Sequence, residues 1–157
     1  MHAHQYKAII EWTGNAGSGT SSYRAYGREH TITIPGKEQI KGSSDPAFRG
    51  NPALHNPEEL LLAALSACHL LSYLHACVEE GVVVTAYTDS ATGTMVETPG
   101  GGGHFTEAKL NPVVTVQDAS MVEKALALHH KASQRCFIAS SCNFPVNHFP
   151  VCHAENE

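Results

Sequence analysis

The sequence is short of charge. Asp, Glu, Lys and Arg make up 16% of its 157 residues, and the formal net charge is −5. Without a basic surplus there is nothing to neutralise phosphates, so neither nucleic acid nor an anionic membrane is expected as a partner. The opening residues, Met-His-Ala-His-Gln-Tyr-Lys-Ala-Ile-Ile, lack a long apolar run, so no secretory leader is expected there. Internal repeats are absent as well. The five cysteines form no C-x-x-C pair, and an odd, scattered set argues against a disulfide framework. A reducing cytoplasm is the expected setting, where paired thiols more often act in catalysis or sensing than as staples. Histidine is plentiful, at eleven residues. Yet His129-His130, the His148…Cys152-His153 cluster and His2-x-His4 lack the spacings of a metal site, and His69 and His75 point to different helix faces. No metal and no cofactor is expected.

What is present is one dominant stretch, Asn56 to Gly81. Asn56 suits an N-cap, Pro57 the first helical position, and Glu59 the return arm of a capping box. Gly81 suits the left-handed residue that ends a helix. Between the acidic first turn and Glu79-Glu80 no charge appears, and Leu60, Leu61, Leu62, Leu65, Leu70, Leu71, Leu74 and Val78 fall on every face. A helix apolar all round is expected to be buried. Its length would serve a membrane span, but Ser66, His69, Ser72, Tyr73 and His75 interrupt it and its flanks are acidic. A central helix wrapped by sheet from two subunits is the expectation, with no membrane partner.

The rest reads as strands and turns within a single domain, residues 1–157. Tyr6 to Trp12 and Ser21 to Ile34 form the first hairpin across a glycine-rich turn, with Lys37 to Lys41 as a short third strand. The loop from Gly42 to His55 is long, and loops of that length are functional or disordered. Val82 to Val96 and Phe105 to Val116 pair across Pro99–Gly103, with Pro112 marking an edge or bulge. Ser120…Glu123 reads as a capping box for a second helix ending near Arg135. An extended piece, Asn143 to Val151, follows, and Cys152 to Glu157 reads as a polar tail. The order β-β-β-α-β-β-α-β is that of an α+β sandwich with antiparallel hairpins.

A reactive thiol must ionise, which takes a nearby cation, a hydrogen-bond donor or a helix N-terminus. Cys68 lies in mid-helix, so the dipole helps it little. Activation needs a cation from elsewhere: Arg49 in the long loop first, then Arg24 and Arg28. Cys77 is nine residues on, roughly 180° around the helix at about 100° per residue, so it cannot share a pocket with Cys68. Cys136 and Cys142 belong to another segment and are free to approach Cys68. Cys152 reads as exposed and incidental.

Asn56-Pro57-Glu58-Glu59-Leu60 followed by Ala67-Cys68, with a second cysteine after a later helix, resembles the OsmC/Ohr family of thiol-dependent peroxidases. So does Gly42-Ser-Ser-Asp-Pro-Ala-Phe-Arg-Gly50, which is closer to the OsmC-like branch. The resemblance covers nearly the whole chain. It implies a two-layer sandwich with a buried central helix, an intertwined homodimer with active sites at the subunit interface, and reduction of organic hydroperoxides by a dithiol reductant. By position, Cys68 matches the peroxidatic cysteine, Cys136 the resolving cysteine, Glu58 the carboxylate of the N-P-E turn and Arg49 the arginine before it. In the Ohr branch the arginine comes from the first hairpin, which keeps Arg24 and Arg28 open. Where the family often has C-P, this chain has Cys136-Phe137, and Cys142 offers a second route for resolution. Glu58 and Cys68 lie ten residues apart, about 15 Å along a straight helix, more than one arginine bridges comfortably. Either the helix bends or a partner chain contributes. The rival reading is a non-enzymatic thiol sensor or apolar-ligand binder on the same fold.

Overall fold

A computed structural model describes residues 2–155. The chain divides into two compact units, Met1–Leu61 and Leu62–Glu157.

In the first unit, β1 (Ile9–Trp12), β2 (His30–Thr33) and β3 (Ile40–Gly42) form an antiparallel sheet in that order. Ile10 faces Ile32, and Ile32 faces Ile40 across the next ladder, so β-branched residues pair on one face. β2 is shorter than the Ser21–Ile34 strand the pattern predicts. The segment before it is held by side chains and single backbone bonds instead of a ladder: Trp12 Nε1 donates to the Gly27 carbonyl at 2.9 Å and Gly27 N–H to the Gly14 carbonyl at 2.8 Å. Gly14 is required there, since a Cβ would lie 2.2 Å from the Gly27 oxygen. Arg24 and Arg28 therefore lie in this connection and not in a strand.

The Gly42–His55 loop is ordered. Ser43, fully buried, donates its N–H to the His55 carbonyl at 2.8 Å, and its hydroxyl accepts from Asn51 N–H at 3.0 Å. A short 3₁₀ turn, Pro46–Phe48, is capped by the Asp45 carboxylate. Gly50 follows with no room for a side chain: a Cβ would lie 1.5 Å from the Ser44 carbonyl oxygen.

Helix α1 (Pro57–Glu79) starts in the first unit and continues through the second. Its capping box forms as read: Glu59 N–H donates to Asn56 Oδ1 at 2.8 Å, and Asn56 N–H to Glu59 Oε2 at 3.2 Å. At the other end Val82 N–H reaches the Cys77 carbonyl at 2.9 Å and Gly81 N–H the Val78 carbonyl at 3.3 Å, with Gly81 at φ +70°. Those two bonds make a Schellman motif, which the glycine permits. Asn56→Ala removes one arm of the box and should cost about 1 kcal/mol, read as a lower urea midpoint at unchanged slope.

Within one chain α1 is not buried all round. Leu65, His69, Tyr73, Ala76 and Cys77 make a covered stripe, whereas Leu71 and Val78 are 67% and 78% exposed. The all-round apolar pattern therefore holds more apolar surface than a single chain covers. By length and composition α1 is apolar enough to cross a membrane. Its polar side chains are nonetheless engaged by the fold: Ser66 donates to Asp89, Tyr73 to the Ala125 carbonyl, and His69 pairs with His129.

The second unit holds two three-stranded sheets. One orders β4 (Val84–Asp89), β7 (Pro112–Val116) and β9 (Val151–Ala154); the other orders β5 (Thr92–Thr98), β6 (Gly102–Leu110) and β8 (Val146–His148). Each long strand read from the sequence is thus two strands that cross between sheets. Asp89 holds the first two crossings together, accepting from Ser66 Oγ and, at 2.7 Å, from Asn111 N–H. Pro112, which has no N–H to donate, stands at the first residue of β7, where a ladder tolerates it. The expected polar tail is instead strand β9, parallel to β7, with Ala154 buried. Hairpins are antiparallel, and the two C-terminal strands add in parallel.

Helix α2 (Val122–Arg135) ends where the sequence places it but starts differently. Asp118, not Ser120, is the cap, accepting from Ser120 N–H at 2.8 Å ahead of a 3₁₀ turn, Ala119–Met121. A carboxylate two residues earlier wins because it accepts without donating. Tyr73, Ala76 and Cys77 of α1, Val114 and Val116 of β7, and Ala125, Leu128 and Ala132 of α2 form one core. The architecture is α+β, as the element pattern predicts.

Candidate functional site

Cys68 is half-buried on α1. Cys136 follows the last residue of α2 and caps a one-turn helix, α3 (Phe137–Ser140), its Sγ accepting from Ala139 N–H at 3.4 Å. Only 1% of Cys136 is exposed. Its thiol is within hydrogen-bonding reach of the Cys68 thiol. Burial first, and the Cys68 sulfur second, push the Cys136 thiol up to about 11, against the pull of the Ala139 N–H. At neutral pH Cys136 is thus a protonated thiol beside Cys68, suited to meet an electrophilic sulfur and not to attack peroxide first.

The other thiols fall elsewhere. Cys77 is buried in the core, as the half-turn offset requires. Cys152 is not incidental: it sits on β9, half-buried against that core. Cys142 lies two residues past α3, where its N–H donates to the Ala139 carbonyl at 3.2 Å.

Arg49 and Glu58 belong to the first unit. Arg49 is exposed and sits at φ +66°, the one non-glycine residue with positive φ among the described residues. That conformation carries strain of about 1 kcal/mol for an L-residue. Glu58 Oε2 is buried without a hydrogen-bond partner among the described residues. Within that unit no ion pair joins the two. Arg28 is occupied locally: it donates to the Tyr26 carbonyl and, at 2.8 Å, to the Tyr23 carbonyl, with its guanidinium 4.0 Å and 4.4 Å from the two ring centroids. α1 runs unbroken from Pro57 to Glu79.

One cluster was missed by sequence reasoning. His69 on α1 and His129 on α2, both buried, face each other with Nε2 and Nδ1 2.9 Å apart. Tyr73 stacks on His129 at 3.9 Å, and His148 of β8 tilts over His69 at 4.3 Å. Burial, then His148 and His129, depress His69 to about 3; burial, then His148, depress His129 to about 4. The signal was available: His69 lies four residues from both Leu65 and Tyr73, on the face that α1 buries. A groove of about 320 Å³ between α2 and β8 is lined in part by His129 and His148. Among the described residues no group of three or more His, Cys, Asp or Glu is placed to hold a metal ion.

Residues 50–148 match the family model described as OsmC-like protein, so the chain belongs to that family. No curated protein matches the sequence. Among solved structures it is similar to an OsmC-like protein of unknown function from Vibrio cholerae O1 biovar eltor, at 29% identity and TM-score 0.84, over 95% of this chain and all of that one. It also resembles in fold an organic hydroperoxide resistance protein from Elizabethkingia anophelis, at 19% identity and TM-score 0.73, over 97% and 99% of the two chains. A third, described as an organic hydroperoxide resistance protein OsmC from Legionella pneumophila, aligns at 18% identity and TM-score 0.69, over 96% and 98%.

Proposed function

We propose that this protein is a thiol-dependent peroxidase that reduces organic hydroperoxides in a reducing cytoplasm. The observation that carries the reading is the pairing of two thiols from different elements, Cys68 half-exposed and Cys136 buried beside it. The Cys68 thiolate attacks the distal peroxide oxygen and expels the alcohol, leaving a sulfenic acid. Cys136 condenses with it, releasing water and forming a disulfide. An external dithiol, lipoyl-type or thioredoxin-type, restores both thiols. The leucine-rich surroundings of Cys68 favour an apolar peroxide over hydrogen peroxide.

Arg49, from this subunit or a partner, supplies the guanidinium that stabilises the thiolate and polarises the O–O bond. Three observations support Arg49 over Arg28: its strained backbone, its unoccupied side chain within the first unit, and the prior engagement of Arg28. Glu58 orients that guanidinium, which would satisfy its orphaned oxygen. A single-domain homodimer completes the site, and the second copy covers Leu71 and Val78.

Arg49→Gly tests the arginine cleanly. It relieves the left-handed strain, so thermal stability should hold, while hydroperoxide consumption should fall about 10²-fold or more. The reading as a whole is tested by steady-state assay with cumene hydroperoxide and dihydrolipoamide or dithiothreitol. An enzyme consumes many equivalents per thiol pair; a sensor stops after one.

A further inference from the structure

The proposed chemistry leaves the buried histidines unused. Their hydrogen bond has an unusual requirement. With Nε2 of His69 and Nδ1 of His129 at 2.9 Å, one nitrogen must carry a proton and the other a lone pair. The two outer nitrogens, His69 Nδ1 and His129 Nε2, are buried with no partner among the described residues. The inner bond is therefore what each ring keeps, and neither ring is held by anything else polar.

Beyond the apolar core that α1 and α2 share, their other polar links are less directional. Tyr73 donates to the Ala125 carbonyl at 3.0 Å, and a carbonyl accepts over a broad range of directions. Ser72 reaches the Arg135 carbonyl only at 3.5 Å. Lys131 and Arg135 pair with Glu79 and Glu80 at the surface, where such pairs fix little. The histidine pair is the one buried side-chain-to-side-chain bond joining the two helices among the described residues. Its placement matters, because His69 is adjacent to Cys68. His129 is seven residues before Cys136, about two turns and so close to the same face of α2.

We infer that the His69–His129 bond is a positioning clasp: it sets the rotation of α2 against α1 that brings the Cys136 thiol onto Cys68. It acts on the resolving step and not on the attack on peroxide. This rests on the peroxidase reading. In that step the Cys68 sulfenic sulfur loses its hydroxyl, the Cys136 sulfur forms the S–S bond, and the Cys136 proton leaves with the hydroxyl as water. The sulfenic sulfur is reduced as the Cys136 sulfur is oxidised, so no further oxidant is needed.

One added proton settles on an outer nitrogen and leaves the inner N–H···N bond in place; protonating both rings sets N–H against N–H and opens the clasp, so resolution should slow in acid. The groups facing the pair from every packed element agree with that direction. His148 on β8 is itself held below its usual value by burial, against the pull of Asp89 on β4, and adds a like charge once protonated; Tyr73, Tyr87 and Cys77 remain neutral.

The test uses the reduced full-length protein and three variants. His129→Leu removes the bond at similar bulk, His129→Asn keeps a polar atom near Nδ1, and His69→Gln keeps one near Nε2. One equivalent of cumene hydroperoxide is added, and sulfenic acid is trapped with dimedone over time. His129→Leu should consume the first equivalent normally but close the disulfide about tenfold or more slowly, with the two amide variants within about threefold of wild type. In parallel, the Cys68–Cys136 dithiol is equilibrated with reduced and oxidised glutathione, which needs no peroxide. There His129→Leu should disfavour the disulfide about tenfold, and the amide variants should not. Wild-type closure and equilibrium in His129→Leu would overturn the clasp. So would amide variants that remain folded by circular dichroism yet fail as badly as leucine. If wild type consumes no hydroperoxide while the glutathione contrast holds, the clasp stands and the peroxidase reading falls.

Discussion

Cys68→Ser is expected to abolish hydroperoxide consumption, leaving only the uncatalysed rate. A serine hydroxyl does not ionise near neutrality and its oxygen cannot take the oxidised states that sulfur can, so no sulfenic intermediate forms. Cys68 is half-exposed, so trading sulfur for oxygen should leave the fold intact, and circular dichroism should match wild type. Cys136→Ser should behave differently. The first equivalent is still reduced, but the sulfenic acid persists or is captured by an added thiol. Quantifying hydroperoxide loss and trapping the product with dimedone separates the two variants. Should Cys142→Ser stall while Cys136→Ser turns over normally, the resolving thiol is Cys142.

The second large effect is loss of stability in mild acid. His69 and His129 are depressed from 6.5 to about 3 and about 4, chiefly by burial. The unfolded chain takes up protons first as pH falls. The contribution of the pair is therefore complete above pH 6.5 and is withdrawn as pH falls through 5 and 4. Between pH 6.5 and 4 the two together amount to on the order of 5 kcal/mol, which is large against the stability of a domain this size. The surface pairs do not share this window: Lys131 first and then Arg135 hold the Glu79 carboxyl near 2, so it stays charged throughout. Replacing both histidines with leucine removes both partners of one bond, which costs little at pH 7. It should flatten the fall of the urea midpoint from pH 6.5 to 4. An unchanged slope in that double variant would place the acid sensitivity elsewhere.

Much of the fold was legible because its signals are local. The Asn56–Glu59 box, Pro57 and Gly81 each act within a turn, and each does what its chemistry dictates. The ends of strands were harder. Val82 to Val96 is β-rich throughout, and only the Asp89 contacts to Ser66 and Asn111, both distant in sequence, mark where the chain changes sheets. The β9 strand looked like a tail because Cys-His-Ala is short and weakly apolar; its pairing with β7 supplies the order. At the site, Cys68 and Cys136 were singled out by the family resemblance, since their own contexts left Cys142 equally open, and the structure places the Cys136 thiol beside Cys68. The histidine pair was not, because each residue alone reads as a polar interruption in an apolar stripe. Sixty positions separate them, and only packing of α2 on α1 reveals a partner. The exposed Leu71 and Val78 show the reverse: the sequence declares a helix fit for burial, and one chain supplies only part of the cover.

The most direct test is stoichiometric. Fully reduced protein is mixed with one equivalent of cumene hydroperoxide, quenched with an alkylating agent, digested without reductant and analysed by mass spectrometry. The expected result is loss of two thiols per chain and a single linked peptide pair containing Cys68 and Cys136. Retention of all five thiols, or a link that omits Cys68, would contradict it.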